Sequence, residues 1–408
     1  MPKQALEGLR VLDLSRVLAG PWSSQTLADM GAEVIKIERP GRGDDTRAWG
    51  PPYAQDEHGN DTSESAYFLS ANRGKKSVTI DITRPAGQGL VCRLASRSDI
   101  LIENYKVGGL KRYGLEYESL SKLSPRLIYC SITGFGQNGP YKDRAGYDFM
   151  IQAMGGLMSI TGERDDRPGG GPQKVGVAVA DIVTGLYSTI AILGALNHRH
   201  LTGQGQHIDM ALLDCQVAML ANVNLNYLVT GKVPVRQGNA HQNIVPYQVF
   251  KCMDGHLILA VGNDEQFSRF CTEVGVPELV TDTRFATNRA RVHNRELLVP
   301  KLEAVFMTRI RDDWLNRLES LGVPCGPIND LAQVFADPQV LARGLRLSLP
   351  HPKAGKVPGV ANPIRFSQTP IQAQLAPPVL GQHTEEVLAQ MLGLKEAEIS
   401  ALKASKII

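Results

Sequence analysis

One acidic residue, Asp181, lies near the start of a long apolar segment and could carry nucleophilic chemistry. Between Val175 and Leu196 the sequence VGVAVADIVTGLYSTIAILGAL holds no other charged side chain. Burying an unpaired charge is costly, so such a carboxylate is paired, protonated or functional. A helix-capping aspartate and a carboxylate nucleophile are equally good interpretations of this position. Gly185, on the next turn of the same helix face, predicts an open surface for a ligand.

Basic residues in loops that follow predicted strands could bind phosphates or carboxylates. Each alone is more often a solvated surface charge, but several that converge on one edge of a sheet form an anion site. The residues of this set are Arg16, Arg39, Arg42, Arg47, Arg73, Lys75, Lys76, Arg112 and Arg144. Together they predict a site for an anionic small molecule.

Signatures of other chemistries are missing from the sequence. The turn SRVLAGP after the first predicted strand lacks the glycine fingerprint of a dinucleotide fold, although Glu38 ends the second strand. No HExxH or GxSxG motif occurs, and His198 and His200 are too close in sequence to share one helix face. The sequence therefore argues against a nicotinamide enzyme, a metal site and a serine hydrolase.

Strand-like and helical segments alternate through the first part of the chain. The runs VLDL, EVIKIE, SVTIDI, DILIENY and LIYCSITGFG are short and rich in β-branched residues, with helical-period segments between them. This alternation predicts an α/β fold with a doubly wound, parallel, Rossmann-like sheet. Ligands bind at the carboxyl ends of the strands in such sheets, so the loops at those ends are the candidate site.

Domain boundaries follow from changes in this pattern. Residues 1–200 are predicted to form a large α/β domain, 201–224 a linker, 225–325 a smaller α+β domain, and 326–408 a return segment that completes the large domain. The hairpin pattern YQVFKC–MDG–HLILAV, with its Asp-Gly turn, places a sheet in the smaller domain. The polar loop Arg236–Tyr247 before it is either a plain connection or a mobile loop over an active site.

Composition narrows the function classes. The 408 residues include 44 Lys and Arg against 41 Asp and Glu, a net charge of +3, which is too small for a dedicated nucleic-acid binder. The 6 cysteines form no CxxC pair and the N-terminal sequence shows no signal or transit peptide, so we expect free thiols and a cytoplasmic protein. Val175–Leu196 is long enough to cross a membrane, but no second such segment exists, and a buried core helix is the favoured interpretation.

Long, ordered motifs resemble those of one enzyme family. They are LEGLRVLDLSRVLAGP, GAEVIKIERPGRGDDTR, NRGKKSVTIDI, DILIENY, SITGFGQNGPYKDRAGYD, VAVADIVTGLYS, TGQGQHIDMALLD and VPCGPIND. Together they resemble the class III coenzyme A transferases, the family of formyl-CoA and carnitine-CoA transferases, from about Leu6 to the final helix. The segments GDDTRAWGPP, IVPYQVFK and RVHNR look most like the members of this family whose substrates are dicarboxylic acids.

The resemblance implies a set of site residues. The nucleophilic aspartate of the family falls on Asp181 in the motif VAVADIVTGLYS. Positions that contact CoA in the family correspond here to Arg16, Val17, Ala19, Arg39, Asn104 and Arg112. Leu18 replaces the glutamine that covers the reactive aspartate in the formyl-CoA branch, and GNAHQN replaces a glycine-rich flap. These departures imply an acyl group larger than oxalate or formate.

The resemblance also implies a mechanism and partners. Asp181 would attack an acyl-CoA thioester to give a mixed anhydride and then an aspartyl-CoA thioester, with no metal, no ATP and no permanently bound cofactor. A coenzyme A thioester is the co-substrate and small carboxylic acids are the acceptors, in an interlocked homodimer that binds neither nucleic acid nor membrane. The second carboxylate of a dicarboxylic acid needs a cation, for which Arg47 is the first candidate because arginine binds carboxylates bidentately, with Arg73 and His241 as alternates.

Two alternative functions stay open. A racemase or epimerase of the same fold, acting on 2-methylacyl-CoA, needs a histidine and a carboxylate near the thioester. Ile182 follows Asp181, however, and no histidine lies nearby in the sequence. A non-catalytic CoA-binding protein is the other alternative, although binding alone does not require Asp181. Incubation with succinyl-CoA and a panel of free acids separates the three functions.

Overall fold

A computed structural model describes residues 4–372 and 375–408 of the chain. The described residues form two compact units. Unit 1 comprises the described parts of Met1–Gly155, Gly176–Leu220 and Pro338–Ile408, and unit 2 comprises Gly156–Val175 and Ala221–Asp337. Each unit is therefore assembled from segments that are distant in the sequence.

The regular elements of the described residues are numbered here in chain order. The strands are β1 (Arg10–Asp13), β2 (Glu33–Glu38), β3 (Tyr53–Gln55), β4 (Asp61–Ser65), β5 (Lys75–Thr79), β6 (Ile100–Glu103), β7 (Ile128–Thr133), β8 (His207–Ala211), β9 (Tyr247–Lys251), β10 (His256–Ala260), β11 (Cys325–Pro327), β12 (Arg346–His351) and β13 (Gly355–Val360). The helices are α1 (Ala19–Asp29), α2 (Ala66–Ala71), α3 (Pro85–Ala95), α4 (Tyr117–Leu123), α5 (Asp148–Met154), α6 (Leu157–Ile160), α7 (Val179–Thr202), α8 (Leu212–Met219), α9 (Ala221–Thr230), α10 (Asp264–Glu273), α11 (Glu278–Thr281), α12 (Asn288–His293), α13 (Arg295–Phe306), α14 (Arg311–Ser320), α15 (Leu331–Ala336), α16 (Pro338–Ala342), α17 (Thr384–Leu392) and α18 (Glu396–Ala404). Short 3-10 helices cover Asp45–Ala48 and Lys111–Tyr113.

The main sheet of unit 1 is parallel and covered on both faces. Its strand order is β5-β2-β1-β6-β7-β8, and each pair of neighbours is parallel. One face packs against α3, α4, α17 and α18, and the other against α1, α5, α7 and α8. The central strands β6 and β7, covered on both faces, consist mainly of buried apolar residues. This architecture confirms the predicted doubly wound α/β fold.

The order of these strands fixes where a ligand can approach. The chain runs from β1 outward through β2 to β5 and then returns to β6 on the other side of β1. The direction of winding therefore reverses between β1 and β6, and the loops after these two strands diverge. In open α/β sheets this reversal leaves a crevice at the carboxyl edge that binds ligands.

The unit boundaries differ from those predicted from the sequence. Residues 201–224 are not a linker, because β8 pairs with β7 as an edge strand of the main sheet and α8 packs beneath it. Residues 156–175 belong to unit 2, although the pattern of the preceding strands assigned them to the large domain. The return segment begins at Pro338 rather than at residue 326. Its His383 N donates a hydrogen bond to the carbonyl oxygen of Ser77 in β5.

The long apolar segment forms α7, a packed helix of unit 1. It is long and apolar enough to cross a membrane, and no other helix of the described residues is. It contacts α1, α5, α8, β7 and β8, and its buried stripe includes Thr184, Ser188 and Ile192. A Cβ at Gly185 would lie 2.7 Å from the Ala19 carbonyl oxygen. Gly185 therefore permits the close approach of α1 to α7, and the predicted opening for a ligand at this glycine is wrong.

Unit 2 has its own core around a small antiparallel sheet. β10 lies between β9 and β11, and β9 with β10 forms the hairpin predicted from the Asp-Gly turn. The rings of Phe250 and Phe306 are 4.7 Å apart between centroids. The Trp314 ring meets Phe306 edge to face, with centroids 5.2 Å apart. Helices α10, α13 and α14 supply most of the remaining apolar side chains.

Candidate active site

Asp181 is the third residue of α7 and carries an uncompensated charge. Its side chain is partly buried, and among the described residues it forms no hydrogen bond and no ion pair. Burial, and then the negative charge of Asp148, raise the pKa of Asp181 from 3.8 to about 7. A capping aspartate would accept a backbone N–H at the helix end, yet the capping position is Ala178. The geometry therefore favours the nucleophile over the helix cap.

Asp148, the first residue of α5, holds the helix end that carries Asp181. Its Oδ1 accepts a hydrogen bond from Ala180 N at 2.8 Å. Its Oδ2 accepts one from Gln152 Nε2, also at 2.8 Å. Asp148 is the last residue of the motif SITGFGQNGPYKDRAGYD, but it was not among the predicted site residues, because no local pattern indicates its contact with α7. Two carboxylates thus lie at one helix end, one hydrogen-bonded and the other not.

Aromatic side chains stand beside these carboxylates. The rings of Trp49 and Tyr67 meet edge to face, with centroids 5.0 Å apart. Burial, and then the charges of Asp181, Asp148 and Asp44, raise the pKa of Tyr67 to about 12. The phenol of Tyr67 therefore keeps its proton at neutral pH and can donate a hydrogen bond. Sequence reasoning singled out neither ring, because nothing local to GDDTRAWGPP or SESAYFLS places them near Asp181.

The loop after β1 is tied to the loop after β6 across the switch point. Asn104 Oδ1 accepts from Arg16 N at 2.9 Å, and Asn104 Nδ2 donates to Arg16 O at 2.7 Å. Val17 has a φ of 70°, and its N–H faces both carboxylate oxygens of Asp44 at 3.3 Å. Ala19 begins α1 directly after this loop. The structure therefore brings Arg16, Val17, Ala19 and Asn104 together at the carboxyl edge.

Arg16, Arg39 and Arg112 keep exposed guanidinium groups in the loops after β1, β2 and β6. The Arg16 guanidinium lies 5.1 Å from the Tyr105 ring and 3.3 Å from Asp45. Arg112 covers the Tyr113 ring at 4.6 Å, and Arg39 is exposed. Exposed arginines at this edge suit the phosphate groups of a nucleotide.

Arg47 is engaged by carboxylates of the protein. Its Nε and Nη2 each lie 2.7 Å from an oxygen of Glu38, and its Nη1 lies 3.5 Å from Glu64. The guanidinium also covers the Phe68 ring at 3.6 Å. These contacts use the bidentate face that a substrate carboxylate would need. The geometry therefore argues against Arg47 as the anchor expected from the sequence.

The two alternate anchors differ in position. Arg73 binds Asp29 through Nε at 2.8 Å and Nη2 at 2.6 Å. Arg73 also precedes β5, so it lies at the amino edge of the parallel sheet, away from the candidate site. His241 belongs to unit 2, where its Nδ1 accepts from Asn243 N at 3.0 Å. Arg73 is therefore disfavoured as an anchor, and the role of His241 stays a prediction.

A buried ion network supports the loop after β1 from below. Lys36 Nζ lies 2.9 Å from Asp44 and donates to Ser15 O at 2.8 Å. Lys75 Nζ lies 3.1 Å from Asp13. Burial opposes the charge of Asp13, but the ammonium groups of Lys75 and Lys36 outweigh it and lower its pKa to about 2. These buried acids hold the loop and keep their charge.

Comparison with known proteins identifies the family of the chain. The family model described as CoA-transferase family III matches residues 6–384. A succinate–glutarate CoA-transferase of Agrobacterium fabrum is 53% identical over 95% of this chain and 96% of its own length. A succinyl-CoA:glutarate CoA-transferase of Homo sapiens is 45% identical over 99% of this chain and 90% of its own length. The crystal structure of a CAIB/BAIF family protein from Brucella suis is 53% identical, with a TM-score of 0.83 over 95% of this chain and 100% of that one.

Proposed function

The chain belongs to CoA-transferase family III, and we propose that it transfers CoA from succinyl-CoA to glutarate or a similar short dicarboxylic acid. The acids are proposed from the names of the relatives, which combine succinate and glutarate in both a bacterial and a mammalian protein. The observation in this chain that supports catalysis is Asp181, a partly buried carboxylate with no partner among the described residues. A purely structural acid would be paired, as Asp13 is with Lys75.

The proposed reaction is a series of acyl exchanges at Asp181. A carboxylate oxygen attacks the thioester carbonyl of succinyl-CoA and the C–S bond breaks, which leaves a succinyl–aspartyl anhydride and CoA thiolate. The thiolate attacks the aspartyl carbonyl and releases succinate, which leaves an aspartyl–CoA thioester. Glutarate attacks this thioester to form a second anhydride and free thiolate. The thiolate then attacks the glutaryl carbonyl, which gives glutaryl-CoA and restores the Asp181 carboxylate.

The surroundings of Asp181 support this chemistry. Desolvation raises the pKa of its carboxyl group to about 7, so the carboxylate is still available at neutral pH and is more basic than an ordinary aspartate. The protonated phenol of Tyr67 is a candidate donor to the oxygen that becomes negative during each attack. Exclusion of water around these groups protects the anhydrides from hydrolysis.

Coenzyme A is proposed to bind along the carboxyl edge of the main sheet. Arg16, Arg39 and Arg112 offer exposed guanidinium groups for its phosphates, and Asn104 fixes the backbone of Arg16. Val17 and Ala19 form the turn that leads into α1. The same loops were expected from the sequence to contact CoA.

We also propose that the protein is a homodimer with interlocked chains. Unit 1 exposes apolar side chains on neighbouring helices, with Phe149 at 58% and Ile190 at 63% exposure. Such exposed apolar patches mark protein interaction sites. Light scattering at micromolar concentration is expected to give the mass of a dimer, and a stable monomer would contradict the proposal.

An acceptor screen tests the proposed function. The protein is incubated with succinyl-CoA and glutarate, butyrate or oxalate, and new CoA thioesters are identified by mass spectrometry. Glutaryl-CoA is expected in preference to the other products. Hydrolysis of succinyl-CoA without a new thioester would rule out a transferase. Deuterium uptake from D2O into a 2-methylacyl-CoA would instead identify a racemase. A racemase needs a histidine beside its carboxylate. No histidine among the described residues contributes to the raised pKa of Asp181.

A further inference from the structure

Asp148 is an ordered carboxylate that lacks a cation. Its two oxygens accept hydrogen bonds from Ala180 N and Gln152 Nε2, each at 2.8 Å. Neither donor is charged, and among the described residues no lysine, arginine or histidine forms an ion pair with Asp148. The backbone N–H of Ala180 immediately precedes Asp181 in α7. The negative charge of Asp148 is therefore fixed at the helix end that carries the nucleophile.

Among the described residues, the elements packed against α7 place no cation that compensates the charge of Asp181, and the basic Arg199 and His200 of α7 itself lie in its last turn. The helix packs against α1, α5, α8, β7 and β8, and Tyr67 faces the same region from α2. The ionisable side chains on these elements are Asp29, Tyr67, Asp148, Asp214, Cys215, Tyr129, Cys130, His207 and Asp209. Of their charges, that of Asp148 is the one that acts on Asp181. The carboxyl group of Asp181 therefore loses its proton close to a second negative charge, that of Asp148.

We propose that Asp148 is a positioning residue of the transferase: its carboxylate fixes the first turn of α7 and disfavours negative charge on Asp181, so that acylated forms of Asp181 are favoured. The inference rests on the proposed function. In both the anhydride and the aspartyl–CoA thioester, Asp181 carries no charge. Acylation therefore relieves the repulsion from Asp148, and the interaction stabilises the covalent intermediates relative to the free enzyme.

Asp148→Asn separates the two parts of this role. The asparagine oxygen still accepts from Ala180 N, so the helix end stays in place, while the charge is removed. Each unit by which the pKa of Asp181 falls corresponds to about a tenfold change in the balance between charged and uncharged forms. We expect the fraction of acylated enzyme to fall several-fold in Asp148→Asn, because the free carboxylate of Asp181 is then less disfavoured.

The experiment traps the intermediate and records a pH profile. Wild type, Asp148→Asn, Asp148→Glu and the exposed control Asp214→Asn are mixed with succinyl-CoA without acceptor. Hydroxylamine then converts acylated Asp181 into a hydroxamate that mass spectrometry quantifies. Asp148→Asn is expected to trap less and to shift the acidic limb of kcat/KM to lower pH. Asp148→Glu, which keeps both charge and acceptor, and Asp214→Asn are expected to resemble wild type.

The outcomes separate this inference from the proposed function. The role of Asp148 alone would be overturned if Asp181 is trapped in wild type and if Asp148→Asn has the same trapped fraction and the same acidic limb of kcat/KM. A wild type that neither traps Asp181 nor makes a new thioester would overturn the transferase and this inference together. Circular dichroism shows whether Asp148→Asn folds. If it does not, the comparison rests on Asp148→Glu, which preserves the charge. A shifted acidic limb of kcat/KM in that variant would overturn the electrostatic role.

Discussion

Two groups of acids in unit 1 meet opposite surroundings. The paired acids, Asp13, Glu38 and Asp44, contact Lys75, Arg47 and Lys36 respectively. The unpaired acids, Asp148 and Asp181, have no cationic partner among the residues that the structure describes. Burial disfavours the charge of Asp13, Glu38, Asp44 and Asp181. Nearby cations overcome it in the paired acids and lower their pKa values, whereas burial and Asp148 raise that of Asp181.

The difference separates acids that hold the fold from acids whose surroundings suit a reaction. A carboxylate with a lowered pKa is a poor nucleophile and a good scaffold, because its charge is held by its partners. In a carboxylate with a raised pKa the negative charge is disfavoured, so conversion to an uncharged acyl derivative is favoured. Strongly perturbed acids without partners mark functional sites more often than structural ones. The following variants break or sharpen this contrast, from the largest expected effect to the smallest.

Asp181→Asn is expected to abolish transfer while the fold is kept. The asparagine has the same shape but cannot form the anhydride, so turnover should fall by more than about a thousandfold. Because the wild-type carboxylate is unpaired, thermal unfolding should occur at the same or a higher temperature. Steady-state turnover and calorimetry measure the two effects. Turnover near that of wild type would remove Asp181 from the mechanism.

Lys36→Met is expected to destabilise the fold strongly. It leaves Asp44 buried without the ammonium group that lies 2.9 Å away. Removal of one partner of a buried ion pair costs about 3–5 kcal/mol in the free energy of unfolding. Urea denaturation of Lys36→Met beside Asp181→Asn makes the comparison direct. A loss below about 1 kcal/mol, typical of an exposed pair, would show that the paired acids do not depend on their cations.

Arg47→Ala distinguishes a scaffold arginine from a substrate anchor. The contacts with Glu38 and Glu64 predict a loss of stability of about 3–5 kcal/mol, and similar changes in kcat/KM for succinate and butyrate as acceptors. A substrate anchor would instead show a selective loss of roughly 30-fold or more for succinate, from a lost charged hydrogen bond worth about 2–5 kcal/mol. Kinetics with both acids decides between them. A selective loss for succinate would return Arg47 to the substrate pocket.

The pH dependence of stability is expected to have opposite signs in the two groups. Asp181 has a raised pKa when folded, so the folded state binds more protons between 3.8 and about 7. Its contribution to the free energy of unfolding therefore falls as pH rises through that window and is constant above it. The paired acids have lowered pKa values, so their contribution is lost as pH falls through the acid range.

Unfolding measurements in denaturant test this dependence. The free energy of unfolding of wild type minus that of Asp181→Asn should fall as the pH rises from acid toward neutral. The rate of transfer should rise over the same interval, since the nucleophile is the deprotonated form. A difference that does not vary with pH would contradict the raised pKa of Asp181.

The sequence by itself determined the main sheet and singled out Asp181 as the candidate nucleophile. Short strand-like runs that alternate with helical-period segments predicted a parallel sheet, because two parallel strands need a crossover connection, usually a helix, between them. Asp181 was recognised as one charge within an apolar helix and through the family motif around it. Residues 201–224 were predicted to be a linker between domains, whereas β8 within them is an edge strand of the main sheet, with an exposed Asp209 in its middle.

Only the tertiary structure decided which charged residues are free to act. Arg16 and Arg47 look alike in the sequence, yet Arg47 is held by Glu38 and by the carbonyl of Pro378, which lies 331 positions away. Asp148 accepts a hydrogen bond from the backbone N–H of Ala180, the residue before Asp181, although Ala180 lies 32 positions further along the chain. Local sequence sets the type of each ionisable group and its place on a helix or strand. Its partners, and hence its pKa and its availability, depend on distant segments that meet only when the chain folds.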